Sequence, residues 1–223
     1  MRIYVVFLCV ILVLAVISAA PVNYIARPKQ EKFGTSLLLE TVRYQIDASQ
    51  SKFMVKASRG GIAWFKGHNH LIAVRDFSGE ADLSLNVISP ASLQMTIRAA
   101  SLEETSDEFT PEQKKIIKKE LDEIVLESAK YPEITFKSTD VKGKFVNGSF
   151  EAEIGGDMTL HGVTRRVVIP AKVTINGDNL RAQGEFEINR KKFNVKATTA
   201  FHGFVRVKHE LNFTFDMVAH RIS

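Results

Sequence analysis

A chain of 223 residues allows one large domain or two small ones, and 45% hydrophobic with 25% charged residues is ordinary globular composition. Wholesale disorder and low-complexity or collagen-like classes are thereby excluded. The formal charge of +5, from 30 basic and 25 acidic residues, is spread along the chain with no basic run, so no nucleic-acid partner is expected. The single cysteine, Cys9, lies in an apolar leader, which removes thiol nucleophiles, thiolate metal sites, iron–sulfur clusters and intrachain disulfides from the rest of the chain.

In chain order, Arg2 precedes the uncharged apolar run Ile3 to Ala20, which ends in the small residues Ser18, Ala19 and Ala20. This is the layout of a secretory signal peptide and predicts export. The run also just reaches the length of a membrane span, and Pro21 is a poor residue to follow a cleavage point, so an uncleaved N-terminal anchor stays open. Residues 21–43, with Pro28, Gly34 and scattered charges, read as a linker. The folded domain is expected over 44–223.

From there period-two alternation dominates, the pattern of strands with one buried face. Phe53, Val55 and Ala57 alternate with Met54, Lys56 and Ser58, and Leu83, Leu85 and Val87 with Asp82, Ser84 and Asn86. The beat returns at Met95 and Ile97, at Ile134 and Phe136, at Phe186 and Ile188, and at Phe213 and Phe215. Turn signals separate the runs: Gly60-Gly61, Gly79, Ser89-Pro90, Asn147-Gly148, Gly155-Gly156, His161-Gly162 and Asn176-Gly177-Asp178-Asn179. Roughly eight strands joined by short connections predict an antiparallel sheet.

One segment departs from this rhythm. Thr110 to Leu126 predicts a helix, with Thr110 as cap, Pro111 at the first position, Gln113 completing a capping box, and an apolar stripe of Ile117, Leu121, Ile124 and Val125. Such a helix is expected to pack on the sheet or plug one end of a barrel. The fold class expected is all-β, an eight-stranded antiparallel barrel with one amphipathic helix in a connection, because closure removes exposed strand edges. The interior of such a barrel is either filled by side chains or open to one small ligand.

Four stretches carry a family resemblance: Tyr44-Gln45-Ile46-Asp47 with Ser51 and Phe53, Tyr131-Pro132-Glu133-Ile134-Thr135-Phe136-Lys137-Ser138, Gly156-Asp157-Met158-Thr159-Leu160-His161-Gly162-Val163-Thr164-Arg165-Arg166, and Phe186-Glu187-Ile188-Asn189-Arg190-Lys191-Lys192-Phe193. In order and spacing they resemble the YceI-like proteins from Tyr44 to the C-terminus. The resemblance implies a lipocalin-like barrel exported to the bacterial periplasm, non-enzymatic, carrying a long apolar molecule such as a polyisoprenoid or related lipid in its lumen. No cofactor is implied, and a homodimer and N-terminal membrane anchoring are left open. Two features depart from or subdivide the pattern. Asn194 follows Phe193 where the family commonly has glycine, and Gly67-His68-Asn69-His70 resembles a branch with paired histidines. The expected ligand wall comprises Phe53, Val55, Leu83, Leu85, Met95, Ile97, Phe136, Phe186, Ile188, Phe193, Phe213 and Phe215.

The alternative reading rests on His68 and His70. Two residues apart on a strand, both point to one face and can present two imidazoles to one metal ion, as in a metal-dependent or redox-associated periplasmic protein. His161, His202, His209 and His220 are the candidate further ligands. No Gly-x-Ser-x-Gly elbow, P-loop or dinucleotide fingerprint is present. Glu103-Glu104 and Asp107-Glu108 read as solvated loop charges, and Arg165-Arg166 as surface charge or a contact for a ligand phosphate at a barrel mouth. A lipid-embedded outer-membrane barrel is disfavoured, since the outward strand positions are polar or charged where lipid demands an apolar band.

Overall fold

Strands with one apolar and one polar face bury the apolar side by curling the sheet until its edges meet, and this chain does so. The computed structural model describes residues 41–61, 67–84, 91–197, 199–200 and 205–223. The leader and most of the linker, together with Leu85, Val87, Ser89-Pro90 and His202, lie outside the described residues. The strand segments are β1 (Thr41–Ile46), β2 (Lys52–Gly60), β3 (His70–Val74), β4 (Phe77–Ser84), β5 (Ala91–Arg98), β6 (Leu102–Glu104), β7 (Glu133–Val146), β8 (Ser149–Leu160), β9 (Val163–Asn176), β10 (Asn179–Asn189), β11 (Thr199–Ala200) and β12 (Val205–Arg221). Thr41–Arg43, at the end of the expected linker, belong to β1.

Eight staves result, because three of them are broken strands: β1 with β2, β3 with β4, and β5 with β6. Each stave pairs antiparallel with the next in sequence, and β12 closes the barrel against β1 (Tyr44 opposite Arg221) and β2 (Phe53 opposite Phe215). The breaks have local causes. Between β1 and β2 the Asp47 carboxylate accepts from the Ser49 amide, the Ser49 hydroxyl and Gln50 Nε2, an Asx turn in place of ladder bonds. These Ser49 and Gln50 hydrogen bonds hold the Asp47 pKa down at about 2. The other two breaks lie side by side: the Asp76 amide donates 3.0 Å to Ser101 Oγ, tying the kink after β3 to the 3-10 turn Ala99–Ser101.

Two of the expected turn signals lie inside strands. Gly79 sits within β4, where a Cβ would stand 2.5 Å from the Gln94 carbonyl oxygen on β5. Gly155 and Gly156 sit within β8, opposite a register shift between Ser138 and Asp140 on β7. A Cβ on Gly156 would meet the Lys137 oxygen at 2.5 Å, so these glycines permit close approach of strands at a bulge and do not reverse the chain. The true reversals are Asn147-Gly148, His161-Gly162 and 177–178, with φ of 48°, 79°, 51°, 70° and, at Gly177, 58°. Asn194, in the place of the family's usual glycine, takes φ 58°, a left-handed conformation that asparagine tolerates.

Gly162 gives a direct test. Its φ is +70°, and a Cβ there would lie 2.6 Å from Tyr131 Cε1. Gly162→Ala is expected to lower stability by about 1–2 kcal/mol from the left-handed backbone alone, with the Tyr131 clash adding to it. Urea unfolding reads the loss, and an unchanged midpoint would show that the turn relaxes freely.

The helix α1 (Pro111–Glu120) begins as the sequence predicts. Thr110 Oγ1 accepts from the Gln113 amide and Gln113 Oε1 accepts from the Thr110 amide. It then widens into one π turn, Leu121–Val125. The extra residue in that turn rotates the register, so Ile117, Leu121, Val125 and Leu126 face the barrel while Ile124, expected in the stripe, is exposed. The segment plugs the end of the barrel that also carries the His161-Gly162 turn, called here the helix end. The hairpin end carries Asn147-Gly148 and Gly177.

Candidate functional site

Inward residues of all eight staves converge, yet they do not fill the space. Two cavities remain, sharing Phe53, Ile97, Ile134 and Met158 as common wall. The larger, about 240 Å³, runs through the barrel toward the hairpin end, where it is lined by Phe145 and Gly148. One water needs only about 10–15 Å³ of such room, and apolar voids of this kind stay dry or take an apolar guest. Phe145 is 71% exposed at that end, which marks it as the rim of the cavity. The smaller cavity, about 130 Å³, lies under the helix between Ile117, Leu121, Val125 and Leu126 and the ends of β2, β3 and β12.

Phe53, Ile97 and, on one side or the other, Val55, Leu83, Met95, Phe136, Phe186, Phe213 and Phe215 line these cavities. Ile188 and Phe193 are buried in the core cluster away from the lining. Leu85 lies outside the described residues. An aromatic constriction stands between the chambers: Phe186 and Phe213 stack with centroids 4.8 Å apart, and Phe53 touches Phe213 at 6.1 Å. Small residues of the larger chamber, Ala152 and Ala171, were not singled out in the sequence, although they sit opposite one another on β8 and β9. They fall in the same period-two, inward-facing series as Phe150, Ile154, Ile169 and Val173, which was the available signal.

Both linings are predominantly apolar, and ionisable residues join only the one at the helix end. His70, Glu120, Arg190 and Lys196 line the smaller cavity, whereas no ionisable side chain is among the described residues lining the larger one. Glu104, read from sequence as a solvated loop charge, is instead buried with its side chain 0% exposed, because β6 pairs with β3 and turns it inward opposite Ile72. It accepts from His70 Nδ1 at 2.8 Å, from the Leu71 amide at 3.1 Å and from the Ser106 amide at 2.8 Å. Burial pushes the Glu104 pKa up, but the hydrogen bonds from His70, Ser106 and Leu71 together outweigh it and hold the carboxyl below its ordinary range.

His68 and His70 both contact the Phe109 ring, at 5.4 and 5.1 Å between centroids, so the pair does share a neighbourhood. Each Nδ1, however, donates to its own carboxylate, His68 to Glu108 at 2.9 Å and His70 to Glu104. Among the described residues no group of three or more His, Cys, Asp or Glu side chains is arranged to hold a metal ion. Of the other histidines, His161 is buried, donates to Glu127 at 2.6 Å and packs on Tyr131, and His220 stands beside Asp47, Gln50 and Asn179. Arg165 and Arg166 do not reach a cavity. Both are exposed. Arg166, on an outward position of β9, pairs with Asp140 and Thr139 across the outer wall, whereas Arg165, opposite Met158 on the lumen-side face at the end of the strand, donates to the Thr164 carbonyl.

The chain is similar to known proteins in sequence and in fold. The family model described as the YceI-like domain matches residues 44–219. Protein YceI of Escherichia coli O157:H7 is 43% identical over 77 residues, and the UPF0312 protein of Pseudomonas syringae pv. tomato is 42% identical over 79 residues. These matches span 32% and 35% of this chain and only 38% and 37% of the relatives' own length. Among solved structures, BcnA of Burkholderia cenocepacia superposes with a TM-score of 0.61 at 22% identity, covering 78% of this chain and 98% of that one. A polyisoprenoid binding domain from Saccharophagus degradans, implicated in plant cell wall breakdown, gives 0.57 at 12% identity over 80% and 98%. At these identities the two structures establish a common fold.

Proposed function

The chain belongs to the YceI-like family, and on that premise we propose that it is a non-enzymatic carrier holding a long-chain apolar ligand, a polyisoprenoid or related lipid, in the barrel lumen. The observation that carries this reading is the larger cavity, about 240 Å³ of apolar space that the protein's own side chains leave empty. The description of the Saccharophagus relative as polyisoprenoid binding supports the ligand class. Physically, a chain that removes about 500 Å² of apolar surface from water gains roughly 12 kcal/mol before association and ordering costs. Affinity of that origin requires no catalytic group.

Export belongs to the same proposal and rests on the Ile3 to Ala20 leader. A periplasmic carrier explains why outward strand positions are polar while the lumen is apolar. The metal or redox alternative finds no such support, because among the described residues no third His, Cys, Asp or Glu side chain joins His68 and His70 in a group arranged to hold a metal ion.

The test is native mass spectrometry of protein purified from its own host, followed by lipid extraction. A recurrent adduct with the mass of a polyprenyl or acyl chain is the expected result. Protein that arrives empty and takes up neither chain type on incubation would refute the carrier reading.

A further inference from the structure

The helix that plugs the barrel is held more loosely than the strands it covers. No residue from Pro111 to Val125 is fully buried. Ile117, Leu121 and Val125 look onto the smaller cavity, about 130 Å³ of space, in place of a packed floor. At its start the stretch hangs from β3, where the Thr105 amide and hydroxyl both donate to the Leu71 carbonyl, at 2.9 and 2.7 Å. At its far end Leu126 is buried, and the Glu127 carboxylate accepts from His161 Nε2 at 2.6 Å. That bond ties the end of the segment to the hairpin between β8 and β9.

The closed position is held against local cost. His161 and Glu127 take φ of 51° and 48°, left-handed values that most side chains disfavour. The hairpin turn does need a positive φ at His161, but asparagine suits such a position better, and Asn147 fills the matching one at the opposite end of the barrel. The His161 side chain is only 5% exposed, and with Nε2 committed to Glu127 its Nδ1 has no partner among the described residues. A buried, unpartnered ring nitrogen regains a hydrogen bond once water reaches it. The Tyr131 ring packs on the imidazole with centroids 4.4 Å apart, and it would crowd a Cβ on Gly162.

Resting on the carrier reading above, we propose that Pro111–Val125 is a lid over the lumen and that the hydrogen bond between Glu127 and His161 is its latch. Breaking that bond frees the far end of the lid to swing about its Thr105 end, lets water reach His161 Nδ1, and opens the smaller cavity. That cavity shares Phe53 and Met158 with the larger one, so the lid is the entrance for the chain. The lid gives up little packing when it opens, because none of its own residues is fully buried. The latch is charge-assisted and is therefore the strong point of contact. Lys130 and Lys196 act on the same carboxylate and favour its ionised form, which keeps the acceptor charged.

The experiment takes two measurements on the purified full chain, stripped of lipid. The first needs no ligand and is hydrogen–deuterium exchange. A helix of 10 residues is marginal in water by itself, so an opened lid exposes its amides. Glu127→Ala is expected to speed exchange over 111–125 about tenfold, the effect of one charge-assisted hydrogen bond, while the amides of β8 and β9 keep their rates. His161→Asn puts a residue suited to the turn in place of the latch and is expected to do the same. Glu127→Gln keeps a neutral acceptor and is expected to fall between.

The second measurement is the rate of binding of the neutral fluorescent probe 1-aminoanthracene, by stopped flow. A latched entrance predicts that Glu127→Ala raises association and dissociation rates together, each about tenfold, and leaves the Kd nearly unchanged. Loss of a merely structural contact would raise dissociation alone and weaken binding, and that result would overturn the proposal. Unchanged exchange over 111–125 in Glu127→Ala would overturn the latch, and faster exchange with unchanged probe rates would overturn the lid as the entrance. Should His161→Asn fail to fold, Glu127→Ala carries both measurements from a side chain that is 30% exposed. Failure of the probe to bind any form would defeat the carrier reading and the entrance with it, while exchange still decides the latch.

Discussion

Ala171→Phe is expected to lower affinity for a long-chain ligand by about a hundredfold or more while leaving the barrel folded. Ala171 is buried on β9, opposite Ala152, and its methyl group forms part of the wall of the larger cavity. A phenyl ring there occupies room for about four methylenes of a guest, each worth about 0.8 kcal/mol on burial, and about 3 kcal/mol is more than a hundredfold in affinity. Adding a ring to a packed core costs about 1–3 kcal/mol of strain, but here the ring enters space that is empty. The thermal midpoint is therefore expected to hold or rise. Probe displacement reads affinity and thermal melting reads stability. Wild-type affinity in a folded variant would show that the chain does not occupy the larger cavity.

The second large effect is on stability. Glu104→Ala is expected to cost about 3–5 kcal/mol, the range for removing one partner of a buried, hydrogen-bonded charge. The change removes the shared acceptor of the Leu71 and Ser106 amides and of the Nδ1 donor of His70. The adjacent Glu103 supplies the control. It pairs with Arg75 at 3.0 Å in the open, both side chains being more than half exposed, and Glu103→Ala is expected to cost no more than about 1 kcal/mol.

The pH dependence carries a definite sign. Because the folded carboxyl of Glu104 is held below its ordinary value of 4.5, its contribution is complete above that value and is lost as pH falls through the lower folded pKa. The difference in unfolding free energy between wild type and Glu104→Gln should therefore be constant above pH 4.5 and shrink below it. Denaturant unfolding at a series of pH values checks this. A difference that grows on acidification would contradict the assignment.

The neighbours Glu103 and Glu104 also show where sequence reading stops. Both looked like solvated loop charges before a helix; both lie in β6, and only Glu103 is solvated, on its exposed face. Glu104 is distinguished only by the pairing of the three-residue strand β6 with β3, a contact between segments some thirty residues apart. Gly155 and Gly156 fail for the same reason. Glycine pairs signal turns locally, and only the bulge on the neighbouring strand reveals that these two are needed where backbones crowd. Ile124 belonged to a helical stripe at the ordinary period, and a single π turn moved it to solvent. Of the two readings left open for Arg165 and Arg166, surface charge is the one the exposed positions fit; Arg190, clamped by the Lys208, Val195 and Val207 carbonyls beside the smaller cavity, was not singled out, although it lies within the stretch Phe186 to Phe193 that carried the family resemblance.

What the amino-acid sequence determines unaided is local. The alternation of apolar and polar residues, the Asn-Gly and His-Gly reversals, and the Thr110–Gln113 capping box are set by steric and hydrogen-bonding preferences within a few residues, so they specify antiparallel staves and one helix wherever the chain goes. Whether the interior is solid or hollow is decided elsewhere. It depends on the register with which eight staves close, on the register shift between Val207 and Leu211 where β12 pairs with β2, and on which small residues, Ala152 and Ala171 among them, fall opposite one another. A cavity is the volume left over when distant surfaces meet, and no stretch of neighbouring residues holds that information.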